Sequence, residues 1–242
     1  MEKKRFSIKD IIFILTTSLL TVTVIIMGVF LIINNKNNKN QNWFQTYYDQ
    51  HVQTYAVENA NFSQGQIIFI GDSITDLYHL DDYYGDLDKA VYNRGIGGDT
   101  TDGVIKRLKV SLYDLHPSEI VLMIGINDLN GGKTVEQVTN NYQFILNDIK
   151  TTLPTTKVFT MSIIPMSDLM SGAVDVVVQN SKVMEVNTHI NDMAVAKGYT
   201  YVDLFSQVKD ENNKLQSIYT DDGIHLNAAG FTVWTNLLKP LL

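Results

Sequence analysis

The segment at residues 66–76, QIIFIGDSITD, joins an apolar run directly to a polar turn. The run at 67–70 is β-branched and aromatic, which is typical of a buried β-strand. The Gly71-Asp72-Ser73 tripeptide that ends the run predicts a tight turn from strand to helix. The fold must therefore bury a strand whose carboxyl end carries Ser73.

Ser73 has two interpretations from this segment alone. At the amino end of a helix, unpaired backbone N–H groups point outward and favour negative charge. A reaction that builds up an oxyanion could be supported there. A serine at this position is equally typical of a helix N-cap, so the segment leaves both a reactive and a capping Ser73 open.

Apolar runs and helical patterns alternate along the rest of the chain. We predict strands at residues 66–70, 90–93, 119–124, 157–163 and 199–204. We predict helices at residues 43–59, 101–115, 134–153, 179–197 and 227–238. Strict alternation predicts an α/β fold, a three-layer α/β/α sandwich around a parallel sheet, with ligands at the carboxyl ends of the strands. Residues 166–178 fit neither pattern and are predicted to form a loop near that edge.

The first 42 residues predict a membrane anchor. Residues 11–33 contain no charged side chain, and as a helix they would span roughly 34 Å, enough for a bilayer core of about 30 Å. A buried core helix is the alternative, but the segment lacks an amphipathic stripe. Lys and Arg are more frequent before the segment than after it, which predicts that residues 1–10 are cytoplasmic. Residues 34–42, NNKNNKNQN, predict a polar tether, and residues 43–242 a domain outside the cytoplasm.

Composition excludes several classes of function. The net charge of the chain is −7 and its first 39 residues are basic, so the acidity is concentrated in the domain. An acidic domain argues against nucleic acid as a partner. The sequence contains no cysteine, which excludes thiol catalysis, disulfides and zinc sites that use cysteine.

Candidate reactive side chains follow the predicted strands. The loop after the second strand is rich in glycine up to Gly98, so its backbone N–H groups can approach a ligand closely. The third strand runs into Gly125 and Asn127, which can place a side-chain amide donor at the active edge. Asp222 and His225 stand three residues apart before the last predicted helix. This spacing lets a carboxylate and an imidazole face the same way across a turn.

Each of these signals also has a structural interpretation. Glycine loops after strands are common, and this one fails the nucleotide-binding pattern G-x-G-x-x-G because Thr100 replaces the third glycine. Asn127 could satisfy loop backbone groups, Asp222 could begin a turn or cap a helix, and a single histidine is often structural. Only the combination of all of them, at predicted loop positions on one edge, favours a reactive site.

Taken together, these segments resemble the SGNH, or GDSL, hydrolase family. The four family blocks occur in order as Gly71-Asp72-Ser73, Gly98 within GIGGDT, Gly125-x-Asn127-Asp128 and Asp222-x-x-His225. The resemblance implies a flavodoxin-like sandwich with the sheet order 2-1-3-4-5. It also implies hydrolysis of esters or thioesters without a metal or other cofactor.

The resemblance further implies a role for each matching residue. Ser73 would be the nucleophile, His225 the base and Asp222 its orienting partner. The Ser73 N–H, the Gly98 N–H and the Asn127 side chain would donate to the oxyanion. A serine hydroxyl needs such a base to become an effective nucleophile.

Two other functions use the same sequence features. An acyltransferase would pass the acyl group to a glycan or lipid hydroxyl instead of water, and a surface-binding domain would keep the fold without catalysis. The expected partners of an esterase are a lipid, envelope glycan or small ester, together with the membrane through residues 11–33. We lean towards short acyl groups because the sequence contains no evident long apolar lid, and the sequence does not predict the oligomeric state.

Overall fold

The computed structural model describes residue 29 and residues 43–170 and 172–242. Within these residues the core is a five-stranded sheet in the order β2-β1-β3-β4-β5, with every pair of neighbours parallel. The strands are β1 (Ile67–Gly71), β2 (Val91–Gly95), β3 (Glu119–Met123), β4 (Lys157–Met161) and β5 (Thr200–Val202). The α/β fold and the strand order are therefore confirmed.

Helices follow the strands along the chain. They are α1 (residues 43–58), α2 (Ser73–Asp76), α3 (Leu80–Tyr84), α4 (Thr101–Ser111), α5 (Ile126–Asn130), α6 (Val135–Thr152), α7 (Val176–Lys197), α8 (Phe205–Val208) and α9 (Ala228–Leu238). The five predicted helices correspond to α1, α4, α6, α7 and α9. The turn at Ser73 indicated a helix at the position of α2 without giving its bounds. The prediction omitted α3, α5 and α8, because elements of four or five residues are too short to show a helical period.

The prediction of a loop at residues 166–178 was wrong at its end. Asp168–Met170 forms a short 3₁₀-helix, and α7 already begins at Val176. Asp175 is the N-cap, because its side chain accepts a hydrogen bond from the Val178 N–H at 3.1 Å. Three consecutive valines, which are typical of a strand, obscured this helix start.

The sheet is covered on both faces, since every residue of β1 and of β3 is buried. Phe69 in β1 lies against aromatic rings on one face, with centroid distances of 5.9 Å to Tyr78 and 6.2 Å to Trp234 of α9. A strand buried on both faces has a continuous apolar run. This accounts for the uninterrupted IIFI sequence and fixes the point at which Ser73 leaves the sheet.

The chain divides into two compact units. The first ends at Asp49 and the second is Gln50–Leu242. In the first unit the Trp43 ring stacks on the Tyr47 ring at 5.5 Å. The second unit contains the sheet and everything described below. The predicted cytoplasmic segment 1–10, anchor 11–33 (except Val29) and tether 34–42 lie outside the described residues. Among the helices that are described, none combines the length and apolarity needed to cross a bilayer.

Candidate active site

The turn after β1 frees the Ser73 hydroxyl from a structural role. A Cβ at Gly71 would lie 2.2 Å from the Thr75 hydroxyl and 2.3 Å from the Met123 carbonyl, so only glycine fits. Asp72 is the N-cap of α2, and its carboxylate accepts from the Ile74 N–H at 3.0 Å. Because Asp72 fills this role, capping does not account for Ser73.

Ser73, His225 and Asp222 form a continuous hydrogen-bonded series. The Ser73 Oγ lies 2.8 Å from His225 Nε2, and His225 Nδ1 lies 2.5 Å from Asp222 Oδ2. A carboxylate can only accept, so the proton of the neutral imidazole belongs on Nδ1. The Nε2 lone pair is then directed at the serine hydroxyl, which is the arrangement that general-base activation of a serine requires.

The turn between Asp222 and His225 fixes the carboxylate. Asp222 Oδ1 accepts from the backbone N–H groups of Ile224 at 3.0 Å and His225 at 2.9 Å. Gly223, which follows Asp222, has a φ of +94°. Partial burial by itself would raise the pKa of Asp222, but the hydrogen bonds from the His225 side chain and from these two N–H groups lower that pKa to about 2. Asp222 is therefore ionised throughout the neutral range.

The two remaining predicted blocks meet at the same edge of the sheet. β1 lies between β2 and β3, with Gly71 paired with both Gly95 and Met123. The loops that follow these strands are joined directly, because the Asn127 side-chain amide donates to the Asp99 carbonyl at 3.0 Å. An amide nitrogen carries two hydrogens, so one holds the glycine loop and the other can serve a ligand.

A buried ion pair supports this edge, and the sequence analysis missed it. Arg107 donates from Nε to Asp99 Oδ2 at 2.8 Å, and from its terminal nitrogens to the carbonyls of Gly71 at 2.9 Å and Arg94 at 2.7 Å. Both side chains are nearly inaccessible to solvent. The guanidinium therefore ties together the ends of β1 and β2 and the loop that carries Gly98. The sequence did contain one indication of this ion pair, because Arg107 lies within the apolar stripe of the predicted helix at 101–115.

Asp128 has a comparable supporting role. It is buried, and its carboxylate accepts from the Thr101 N–H at 2.9 Å, the Thr101 hydroxyl at 2.6 Å and the Lys133 ammonium at 2.6 Å. These bonds attach α5, which carries Asn127, to the first residue of α4. In the block Gly125-x-Asn127-Asp128, Asn127 therefore lies at the reactive edge and Asp128 fixes its position.

Asp72 is a buried carboxyl group next to the nucleophile. Burial raises the pKa of Asp72 to about 7, its hydrogen bond from Ile74 opposes this rise, and the nearby Asp99 and Asp128 carboxylates reinforce it. A raised carboxyl pKa means that the folded state holds a proton which the unfolded chain has released. The contribution of Asp72 to the free energy of unfolding should therefore fall as the pH rises from about 4 to about 7.

We expect Asp72→Asn to remove this part of the pH dependence. An asparagine side chain can still accept from the Ile74 N–H as an N-cap, but it has no charge to bury. The difference in Tm between pH 5 and pH 8, measured by differential scanning calorimetry, should be smaller in the variant than in the wild type. Asp203→Asn at an exposed carboxylate is the matched control, and an equal change in both variants would contradict the assignment.

A cleft of about 630 Å³ lies beside the turn that carries His225. Ser167, one of its lining residues, donates its backbone N–H to the Gly223 carbonyl at 2.8 Å. Two exposed aliphatic side chains, Leu169 and Ile218, also line it. Ser167 therefore contacts both the cleft and the Asp222–His225 turn, whereas Ser73 and His225 do not line the cleft.

Comparison with known proteins gives a family match over most of the second unit. The model of the GDSL-like Lipase/Acylhydrolase family matches residues 69–233. This region contains each of the five residues that the sequence analysis placed at the reactive edge: Ser73, Gly98, Asn127, Asp222 and His225.

Curated relatives and solved structures agree with this match. Platelet-activating factor acetylhydrolase IB subunit alpha1 from Bos taurus is 31% identical over 112 residues, 45% of this chain, and the match spans only about half, 47%, of the bovine protein. The same subunit from Rattus norvegicus is 25% identical over 194 residues, 77% of this chain and 78% of the rat protein. A solved structure from Streptococcus pneumonia, described as a platelet activating factor, is 28% identical with a TM-score of 0.77 and covers 84% of this chain and 96% of its own.

Proposed function

We propose, from the premise that this chain belongs to the GDSL-like lipase/acylhydrolase family and is an ester-hydrolysing enzyme, that Ser73, His225 and Asp222 perform the hydrolysis. The observation that carries this proposal is the hydrogen-bonded series from Ser73 Oγ through the imidazole to the Asp222 carboxylate. Each member has the chemical character and the neighbour that its role requires.

The reaction begins with attack of Ser73 Oγ on the acyl carbon of the ester. As the new C–O bond forms, His225 Nε2 takes the hydroxyl proton, and the ionised Asp222 stabilises the resulting imidazolium. The carbonyl oxygen becomes an oxyanion. Backbone N–H groups at Ser73 and Gly98 and the second hydrogen of the Asn127 amide are its proposed donors, each worth about 3 to 4 kcal/mol in comparable sites.

The second half of the reaction regenerates the enzyme. The imidazolium gives its proton to the leaving alcohol oxygen as the C–O bond of the ester breaks, which leaves Ser73 acylated. A water molecule then loses a proton to His225 and attacks the acyl carbon, and Ser73 recovers its hydroxyl proton as the acid departs. The leaving group departs on the side of His225, which gives it the proton.

We expect Asn127→Ala to reduce kcat about 100-fold or more with little change in KM, because the donor acts mainly on the transition state. The measurement is steady-state hydrolysis of a chromogenic acetyl ester. Asn147→Ala is a matched control, because it removes an exposed amide on α6 whose side-chain oxygen accepts from the Lys197 ammonium. A rise in KM with an unchanged kcat would show instead that Asn127 binds the ground state.

Short acyl groups are the proposed substrate class. The matched relatives are named acetylhydrolases, and the sequence has no evident long apolar lid over the reactive edge. Chromogenic esters from acetyl to palmitoyl, offered to the full chain and to Ser73→Ala, test both the activity and the class. Highest kcat/KM on the acetyl ester supports the proposal, whereas a maximum at palmitoyl contradicts it. Product analysis with added acceptor alcohol separates hydrolysis from acyl transfer.

We also propose that the enzyme is held on the outer face of the cell membrane. The support is in the sequence: residues 11–33 are uncharged and the basic residues are concentrated before them. If the predicted tether at 34–42 behaves as a coil, its root-mean-square reach is about 15 to 18 Å, which would keep the domain near the bilayer. Protease added to intact cells that express the full chain should digest the domain, and protection until the membrane is permeabilised would contradict this location.

A further inference from the structure

The residues just before the family match contact the reactive edge. The match begins at residue 69, but Tyr55 of α1 is only 6% exposed and its hydroxyl donates to the Gly95 carbonyl. Gly95 ends β2 and begins the loop that carries Gly98. A hydrogen bond from α1 therefore acts at the first residue of the proposed oxyanion loop.

Gly95 is also packed directly on the nucleophile helix. A Cβ at this position would lie 2.2 Å from the backbone nitrogen of Asp76 and 2.8 Å from the carbonyl carbon of Thr75. The Asn93 side chain reinforces the contact, because its carbonyl accepts from the Gly95 N–H at 2.8 Å and its amide donates to the Thr75 carbonyl at 2.7 Å. Gly95 and α2 are therefore closely packed, so a displacement of Gly95 is expected to be transmitted to α2.

The end of α1 and the residues just after it hold the side chain of Arg94, the neighbour of Gly95. The guanidinium donates to Glu58 at 2.6 Å and to Asn59 at 2.8 Å, and it lies over the rings of Tyr55 at 4.4 Å and Phe62 at 4.9 Å. A buried cation needs such partners to offset its desolvation.

The backbone of Arg94 continues the connection. Its carbonyl accepts from Arg107 at 2.7 Å, and Arg107 also binds Asp99 and the Gly71 carbonyl. Through Arg94 and Arg107, α1 is therefore connected by direct contacts to the end of β1, just before Ser73, and to the loop that carries Gly98.

We propose that residues 50–62 are part of the catalytic unit and that Tyr55 is a positioning residue, whose hydroxyl fixes Gly95 and thereby the spacing between Ser73 and the oxyanion donors. This inference rests on the proposed function of Ser73 and Asn127. Tyr55 touches neither the substrate nor the reacting atoms, so its effect is expected on kcat. A misplacement of about 1 Å at a reacting centre, caused by a distant substitution, can reduce a rate about 100-fold.

The test is Tyr55→Phe in the full chain, which removes the hydroxyl and keeps the ring over Arg94. We expect kcat for a chromogenic acetyl ester to fall about tenfold with KM within about twofold. Tyr113→Phe is the matched control, because the Tyr113 hydroxyl also donates to a partner, Asp148. Tyr113 precedes the amino end of β3, whereas the reactive residues follow the carboxyl ends of the strands. Glu58→Gln is a second, milder variant that should lower kcat in the same direction.

A double-mutant cycle separates positioning from a general structural role. If Tyr55 acts through the oxyanion donors, Tyr55→Phe should reduce kcat less in an Asn127→Ala background than in the wild type. Full multiplication of the two effects, or a kcat for Tyr55→Phe equal to that of the Tyr113→Phe control, would overturn the proposal.

Ser73→Ala and the wild type are assayed in parallel. A wild type without esterase activity would refute the proposed function itself. Hydrolysis that requires Ser73 but ignores Tyr55 would refute only the positioning role.

Discussion

Ser73→Ala should reduce ester hydrolysis by about 10⁴-fold or more, because no other group supplies the nucleophile once the hydroxyl is removed. The residual rate would come from the oxyanion donors and from binding alone. The fold should persist, since the cap of α2 is Asp72 and the loss of one partly exposed hydroxyl costs little stability. The measurement is kcat on the acetyl ester, with circular dichroism to verify folding.

Ser206→Ala, which removes the same kind of hydroxyl from an exposed serine, is the control for this substitution. It should retain the wild-type rate. Retention of activity by Ser73→Ala would remove the central residue of the mechanism, and loss of activity in both variants would point to a nonspecific effect of serine replacement.

Asp222→Asn should lower kcat by about 10⁴-fold, as an amide in this position favours the wrong imidazole tautomer and cannot stabilise the imidazolium. The folded structure should be retained, because Asp222 has an exposed side chain in a turn and asparagine can accept the same backbone hydrogen bonds. Because the pKa of Asp222 is about 2, this carboxylate stays ionised in mild acid, so its protonation should not cause a loss of wild-type activity there.

The neighbouring Asp221 provides the matched control for Asp222→Asn. Asp221→Asn removes the same charge one residue earlier in the same exposed turn. It should leave kcat within about threefold of the wild type, since Nδ1 of His225 is bonded to Asp222 and not to Asp221. Equal losses in the two variants would show that the charge of the turn matters and that the orienting bond does not.

The sheet could be predicted because its strands are buried on both faces. Apolar runs such as residues 67–70 end sharply at glycine or polar residues, so the strand order of the family could be assigned to them. The starts of helices were harder to locate: Val176 begins α7 although valine favours strands, and Asp175 was recognisable as a cap only in three dimensions.

The reactive edge was predicted from the order of four short blocks, whereas its support was not. Asp99 and Arg107 are eight residues apart, and nothing in their spacing reveals that both side chains are buried and paired. Tyr55 is forty positions before Gly95. Contacts of this kind depend on how distant elements pack, which a pattern along one chain does not record.

The most direct test of a nucleophilic Ser73 is the site of covalent capture. The native full chain is treated with a fluorophosphonate probe, digested, and analysed by peptide mass spectrometry. We expect one adduct on Ser73 in the native wild type, strong suppression of that adduct in Asp222→Asn, and none in Ser73→Ala or in heat-unfolded protein. An adduct on a different serine, or labelling that persists in Ser73→Ala, would contradict the mechanism.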